Sequence, residues 1–140
     1  MARIVIDTSV VVAGLRSKRG YSFRLLSLLG GSAFETAVSV PLILEYEAAL
    51  KQQARAIGLS TADVDDFLDF VCQVSHRREI HFLWRPTLRD PRDEFVLELA
   101  VESGCQFIVT HNTRDFGGAA RFGVEVVTPR EFFHRIGVAR

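Results

Sequence analysis

Arg3-Ile4-Val5-Ile6-Asp7-Thr8-Ser9 sets the reading of the chain: a short run of branched apolar residues that stops on a carboxylate and two hydroxyls. Such a run is what a strand buried on both faces requires, and the polar turn marks where it leaves the sheet. Phe107-Ile108-Val109 ending at Thr110, and Val124-Glu125-Val126-Val127 leading into Thr128-Pro129, repeat the pattern. A short strand near Thr36 to Val38 and a weak one over Glu79 to Leu83 complete the set.

Helical patterns separate these strands. Residues 21–29 carry Phe23, Leu25, Leu26, Leu28 and Leu29 before Gly30-Gly31, a buried helix with a glycine stop. Pro41 suits the first turn of a helix through Ala54, whose stripe is Leu42, Tyr46, Ala49 and Leu50. From Thr61 to Val74 the stripe is Val64, Phe67, Leu68 and Val71, with Asp63, Asp66 and Asp69 on a solvated face. Pro91 to Ser103 and residues 130–136 supply the last helices, while Arg16 to Gly20 and the turn at Gly117-Gly118 read as loops. Strands divided by helices predict an α/β fold with a parallel sheet covered on both faces.

The 140 residues suit one domain, 1–140, and 48% apolar with 24% charged residues exclude disorder, fibres and disulfide miniproteins. Seventeen Lys and Arg offset seventeen Asp and Glu, so only charge placement can speak for a polyanion partner. Met1 to Asp7 reaches a carboxylate before any signal-length apolar run, and no stretch nears the roughly 18 apolar residues of a membrane span. The expectation is a cytoplasmic protein without membrane contact. Cys72 and Cys105 lack a CxxC partner and read as buried reduced thiols. Spacing five along a strand sends His76 and His81 to opposite faces, which argues against structural zinc.

In an open parallel sheet the ligand crevice lies beyond the carboxyl ends of the strands. Asp7 ends the first strand; the alternative is an N-cap for the following helix. Glu45 borders its apolar stripe while Glu47 falls farther off, so one of the two is placed to look inward, the alternative being a solvent-facing glutamate. Asp93 shares a helix face with Val96, Leu97 and Ala100. A capping box over Asp90-Pro91-Arg92-Asp93 accounts well for Asp90 and less well for an acid on the buried face. Asn112 and Asp115 lie on the loop leaving the sheet after Thr110, where both are also ordinary turn residues. Two like charges 4 Å apart repel by about 4 kcal/mol at an effective dielectric near 20, so gathered carboxylates must share protons or bind cations. Oxygen donors alone select Mg²⁺ or Mn²⁺, ions suited to phosphodiester cleavage.

Ile4-Val5-Ile6-Asp7-Thr8-Ser9, Glu45, Asp93 seven residues before Ala100, and Thr110-x-Asn112-x-x-Asp115-Phe116, in that order between residue 3 and about residue 134, resemble the acidic motifs of PIN-domain nucleases. In detail they are similar to the VapC-like toxin components of bacterial and archaeal toxin–antitoxin systems. The resemblance implies a sheet of order 3-2-1-4-5, Mg²⁺- or Mn²⁺-dependent endoribonuclease activity, a small antitoxin partner and a homodimer. Carried over by residue, Asp7 and Asp93 are direct metal ligands, and Glu45 and Asp115 complete the catalytic site directly or through water. Asn112 stands where many relatives have a fourth Asp. Ser9 and Thr110 are hydroxyls for orienting ligands or a phosphate, with capping as the alternative, and Asp90 is a supporting acid. Arg85, Arg89 and Arg92 surround the approach to Asp93 as candidate RNA contacts, with Phe82 and Trp84 available for stacking; Arg16, Lys18, Arg19, Arg77 and Arg78 are weaker candidates. The alternative is a catalytically inactive PIN-like module that binds RNA or protein. A receiver-like domain phosphorylated on Asp7 would need an acid pair after the first strand and a lysine after the last, and has neither.

Overall fold

The computed structural model describes residues 1–79 and 91–137, with the side chains of all of these except 91 and 92. Strand β1 (Ala2–Ile6) is the middle strand of a five-stranded sheet. On one side lie β2 (Phe34–Val38) and β3 (His76–Arg77), on the other β4 (Phe107–Val109) and β5 (Glu125–Val127), in the order β3-β2-β1-β4-β5. Every pairing is parallel, with Ile4 opposite both Thr36 and Phe107, and Ile6 opposite Val109. The α/β class and strand order are those expected.

Six α-helices are present among the described residues: α1 (Thr8–Arg16), α2 (Gly20–Ser27), α3 (Val40–Gln53), α4 (Thr61–Val74), α5 (Pro91–Glu102) and α6 (Pro129–Ile136). Ile4, Val5 and Ile6 are buried at consecutive positions, as are Ala37 and Val38, and Ile108 and Val109. Since neighbouring strand residues point to opposite faces, both faces of the sheet are covered. An aromatic chain fixes α6: Phe132 lies edge-on to Phe34 and Phe107, with centroids 5.5 and 5.4 Å away, and Phe133 reaches Tyr21 of α2 at 6.0 Å. Asp63, Asp66 and Asp69 are exposed on α4, as read from the pattern. No helix among the described residues is long and apolar enough to cross a membrane.

Several expectations are corrected. The polar turn after β1 is the start of α1, which the sequence pattern did not separate from a loop, because Val10-Val11-Val12 is a β-branched run of modest helix propensity. Burial of all three overrides that preference. Strand β3 is His76–Arg77, a position the pattern did not give; Glu79 lies outside it, and residues 80–83 of the strand expected over Glu79 to Leu83 lie outside the described residues. The loop after β4 contains two 3-10 turns, Thr113–Phe116 and Ala119–Phe122. Both cysteines are free as expected, but Cys72 is only half-buried. Cys105 is buried, and that burial pushes its thiol up to about 12.

Gly14 lets α1 pack close against α2. A Cβ there would stand 2.5 Å from Leu26 Cδ1 and 2.9 Å from the carbonyl oxygen of Ser22. The leucine tip can swing away; the backbone oxygen cannot. Gly14→Ala is therefore expected to lower stability by about 1–3 kcal/mol despite alanine's better helix propensity. A lower urea midpoint at unchanged slope is the measurement, and a raised midpoint would contradict the contact.

Candidate active site at the carboxyl end of the sheet

Asp7 extends the β1–β4 ladder by one residue, its backbone N–H donating to the Val109 carbonyl at 2.9 Å. It occupies the N-cap position of α1 and its carbonyl accepts from Val10 N–H at 3.0 Å, yet its side chain makes no capping hydrogen bond. The capping alternative for this carboxylate is thereby set aside. The residue is only 6% exposed. Its Oδ2 accepts from Ser9 Oγ at 2.8 Å and from Thr110 Oγ1 at 2.7 Å. Among the described residues no hydrogen bond reaches Oδ1.

The two hydroxyls also organise the loop after β4. Thr110 Oγ1 accepts from Asn112 N–H at 2.9 Å, and Ser9 Oγ accepts from His111 N–H at 3.2 Å. A hydroxyl carries one proton, and each of these is committed to Asp7. Ser9 and Thr110 thus orient a carboxylate and have no proton left to donate to a phosphate.

Glu45 is half-buried on α3, with Oε1 accepting from Thr8 Oγ1 at 2.8 Å, next in sequence to Asp7. Glu47 instead pairs with Lys51 at 3.0 Å, and Lys51 also reaches Asp65. The inward glutamate of the two is Glu45. Between the acids, the buried Tyr46 donates its hydroxyl to the Ile6 carbonyl at the end of β1. Burial raises the Tyr46 hydroxyl well above the usual tyrosine range, and the charges of Asp7 and Glu45 raise it further. Both carboxylates therefore lie within electrostatic reach of one hydroxyl.

The other expected residues are placed less tightly. Asp93 is half-buried in the first turn of α5, a helix that packs on β1, on β4 and on the 3-10 turn carrying Asp115. Asp115 and Asn112 are exposed, and Asp115 N–H donates to the Asn112 carbonyl at 3.0 Å, the turn chemistry weighed as their alternative. Arg85, Arg89 and Asp90, and the Arg92 side chain, lie outside the described residues, as do Phe82 and Trp84. Arg77 and Arg78 are exposed. Among the described residues no three acids, histidines or cysteines are grouped closely enough to hold a metal ion by themselves.

Two buried acids were missed. Glu94 and Glu98 on α5 are 8% and 3% exposed. Their i, i+4 spacing was visible, but Val96, Leu97, Leu99 and Ala100 are also buried, so burial runs most of the way round this helix and a single apolar stripe cannot be read. The donor set at Asp7 and Glu45 is all oxygen, and Asp7 keeps one oxygen unclaimed by the described protein. That arrangement fits a hard divalent cation.

The PIN domain family model matches residues 3–114. The chain belongs to the PIN domain family. The match takes in Asp7, Glu45, Asp93, Thr110 and Asn112 and ends one residue before Asp115. The PIN fold is also that of VapBC2 from Rickettsia felis bound to a DNA fragment from its promoter, with a TM-score of 0.58 and 11% identity over 89% of this chain and 96% of that one. VapBC-1 from nontypeable Haemophilus influenzae is similar at a TM-score of 0.60 and 12% identity, covering 91% of this chain and 98% of that chain. At these identities the likeness is one of fold. No curated protein sequence matches the chain.

Within this PIN domain, Tyr46 couples the site to alkaline stability. The native state favours its protonated form, so the contribution is fully present below the unfolded tyrosine pKa of about 10 and is lost as pH rises beyond it toward the higher native value. Wild-type stability should fall above about pH 10, and Tyr46→Phe should show less of that fall while losing about 1 kcal/mol at neutral pH with the Ile6 hydrogen bond. Urea midpoints from pH 8 to 11 check both. Thr110→Val, which strips a donor from Asp7 and an acceptor from Asn112 N–H, should cost about 1–3 kcal/mol in the same titration at pH 7.

Proposed function

We propose that this chain is a Mg²⁺- or Mn²⁺-dependent endoribonuclease that hydrolyses RNA phosphodiester bonds, the toxin of a toxin–antitoxin pair. In this reading it works in the cytoplasm as a homodimer of one domain spanning 1–140, held in check by a small antitoxin. Membership of a family of nucleases supports the hydrolase, and the fold likeness to the toxin-bearing VapBC structures supports the partner. The observation that carries the reading is Asp7, nearly buried, with its side-chain hydrogen bonds among the described residues both on Oδ2, and Glu45 bonded to the neighbouring Thr8.

Asp7 and Asp93 would hold the cation, with Glu45 and Asp115 completing its shell directly or through water and Asp90 and Asn112 in support. When bound, the ion supplies a water of lowered pKa and positive charge against the phosphate oxygens. The chain does the rest. Ser9 and Thr110 lock the Asp7 carboxylate by its Oδ2, which leaves Oδ1 pointing from a fixed position. Thr8 holds Glu45 by Oε1, keeping Oε2 for water. Arg85, Arg89 and Arg92 would take the RNA backbone. The second reading is an inactive PIN-like module that binds RNA or protein; the exposure of Asp115, and of Asn112 standing in place of an acid, favours it.

Melting curves and cleavage assays separate the two. At a Mn²⁺ concentration about 100 times its Kd, binding adds roughly 2.7 kcal/mol, a rise of several degrees in Tm that EDTA reverses and Asp7→Asn abolishes. A mixed RNA pool with Mn²⁺ should be cut by the wild type and at least about 100-fold more slowly by Asp93→Asn, the size of effect expected when an electrostatic contact to the transition state is lost. Equal cutting by both proteins, or an unmoved Tm at millimolar Mn²⁺, would rule the nuclease out at this site.

A further inference from the structure

A cleft of about 400 Å³ opens between the amino ends of α2 and α6. Arg19, Arg130 and His111 line it with the hydroxyls of Ser17, Ser22 and Thr128, and none of its described lining residues is acidic. Among the described residues Arg3, Lys51 and Arg135 pair with Glu35, Glu47 with Asp65, and Glu125, whereas several other arginines, Arg24, Arg55 and Arg114 among them, do not. Arg19 and Arg130 have no such acidic partner among the described residues. Two guanidiniums without an acidic partner lining one cleft make a local positive site.

The backbone adds to it. Helix α2 starts from Arg19 in extended conformation with no side-chain cap, and the next residue, Gly20, turns the chain at φ 90, so the first N–H groups of this helix take no bond from a capping side chain. Helix α6 differs, since Thr128 and Glu131 close its amino end in a capping box. The cleft is also tied to the carboxylates by one residue. His111 follows Thr110, the donor to Asp7; its N–H donates to Ser9 Oγ, and its Nε2 stands 2.7 Å from the buried Ser22 Oγ at the cleft wall.

We infer that this cleft binds a backbone phosphate of the RNA strand, next along from the phosphodiester at the carboxylates, through Arg19 and Arg130. Guanidinium groups match phosphate oxygens in pairs, and the open amino end of α2 adds donors of the same sign. His111, its ring held by Ser22, is a positioning residue that fixes the cleft relative to Asp7. The identity of the ligand as RNA rests on the nuclease reading above. These residues are distinct from Arg85, Arg89 and Arg92.

The test is anisotropy of a labelled 5′-hydroxyl single-stranded RNA in EDTA, where no cutting occurs. Arg19→Ala with Arg130→Ala should weaken binding about ten-fold near 0.1 M salt and reduce the slope of log Kd against log salt by about 0.7, the loss of one single-strand phosphate contact. Arg55→Ala, an exposed arginine outside the cleft, should change neither. With Mn²⁺ present, the double variant should raise KM and keep kcat and the Mn²⁺ shift in Tm. Wild-type-like binding by the double variant, an equal loss with Arg55→Ala, or no RNA binding by the wild type would overturn the cleft. So would a more than ten-fold preference for 5′-phosphorylated RNA, which would assign it to a strand end. If cleavage and the Mn²⁺ response are absent while binding still depends on Arg19 and Arg130, the nuclease reading fails and the phosphate cleft stands.

Discussion

Asp7 is a charged residue only 6% exposed at the end of the strand that pairs with β2 on one side and β4 on the other. Burying a charged group without compensation costs several kcal/mol, a large share of a small domain's net stability. The fold spends two hydroxyls, the start of a helix and the end of a second strand on holding this one group. Because β1 is central, the chain leaves β1 and β4 in different directions, and the crevice that opens between them is where side chains from distant parts of the sequence meet. Asp7 is at the floor of that crevice because it is the first residue after β1, and Thr110 joins it because Ile6 is in register with Val109.

That register has a chemical consequence. Ser9 and Thr110 donate their only protons to Oδ2 and accept the N–H groups of His111 and Asn112. The carboxylate, the first turn of α1 and the loop after β4 are thus one hydrogen-bonded unit. A change in any member leaves another with an unmet donor or acceptor in a poorly solvated place, so the loop carrying Asn112 and Asp115 is positioned by the same contacts that orient Asp7.

How much of this was legible follows from how each element announces itself. β1 and β4 are unbroken apolar runs with polar stops, and a buried parallel strand has no other signature. α1 was hidden because Val10, Val11 and Val12 carry strand-like chemistry, and only packing makes them helical. β3 is two residues long and exposed, too short to show a period. On α3 the apolar stripe narrowed the inward acid to Glu45 or Glu47; the decision belongs to Thr8, a partner 37 positions away that no local pattern reveals. On α5 the stripe reading selected Asp93 and passed over Glu94 and Glu98, which are more deeply buried, since a helix packed on most sides has no face to read.

The carboxylates of Asp7 and Glu45 repel the polyanion the site is proposed to cut, and a net charge of zero gives no long-range attraction to offset that. Attraction must then be local and must lie beside the acids, within roughly a Debye length of 8 Å at physiological salt. The cleft at Arg19 and Arg130 is joined to Asp7 by connectivity: its lining residue His111 directly follows Thr110, and Thr110 donates to Asp7. Positive charge there can hold a strand without pairing with Asp7 or Glu45, because no acid is among the cleft's described lining residues. Were the arginines placed on the crevice floor instead, they would bind Asp7 and Glu45 directly and occupy the oxygens that a cation needs.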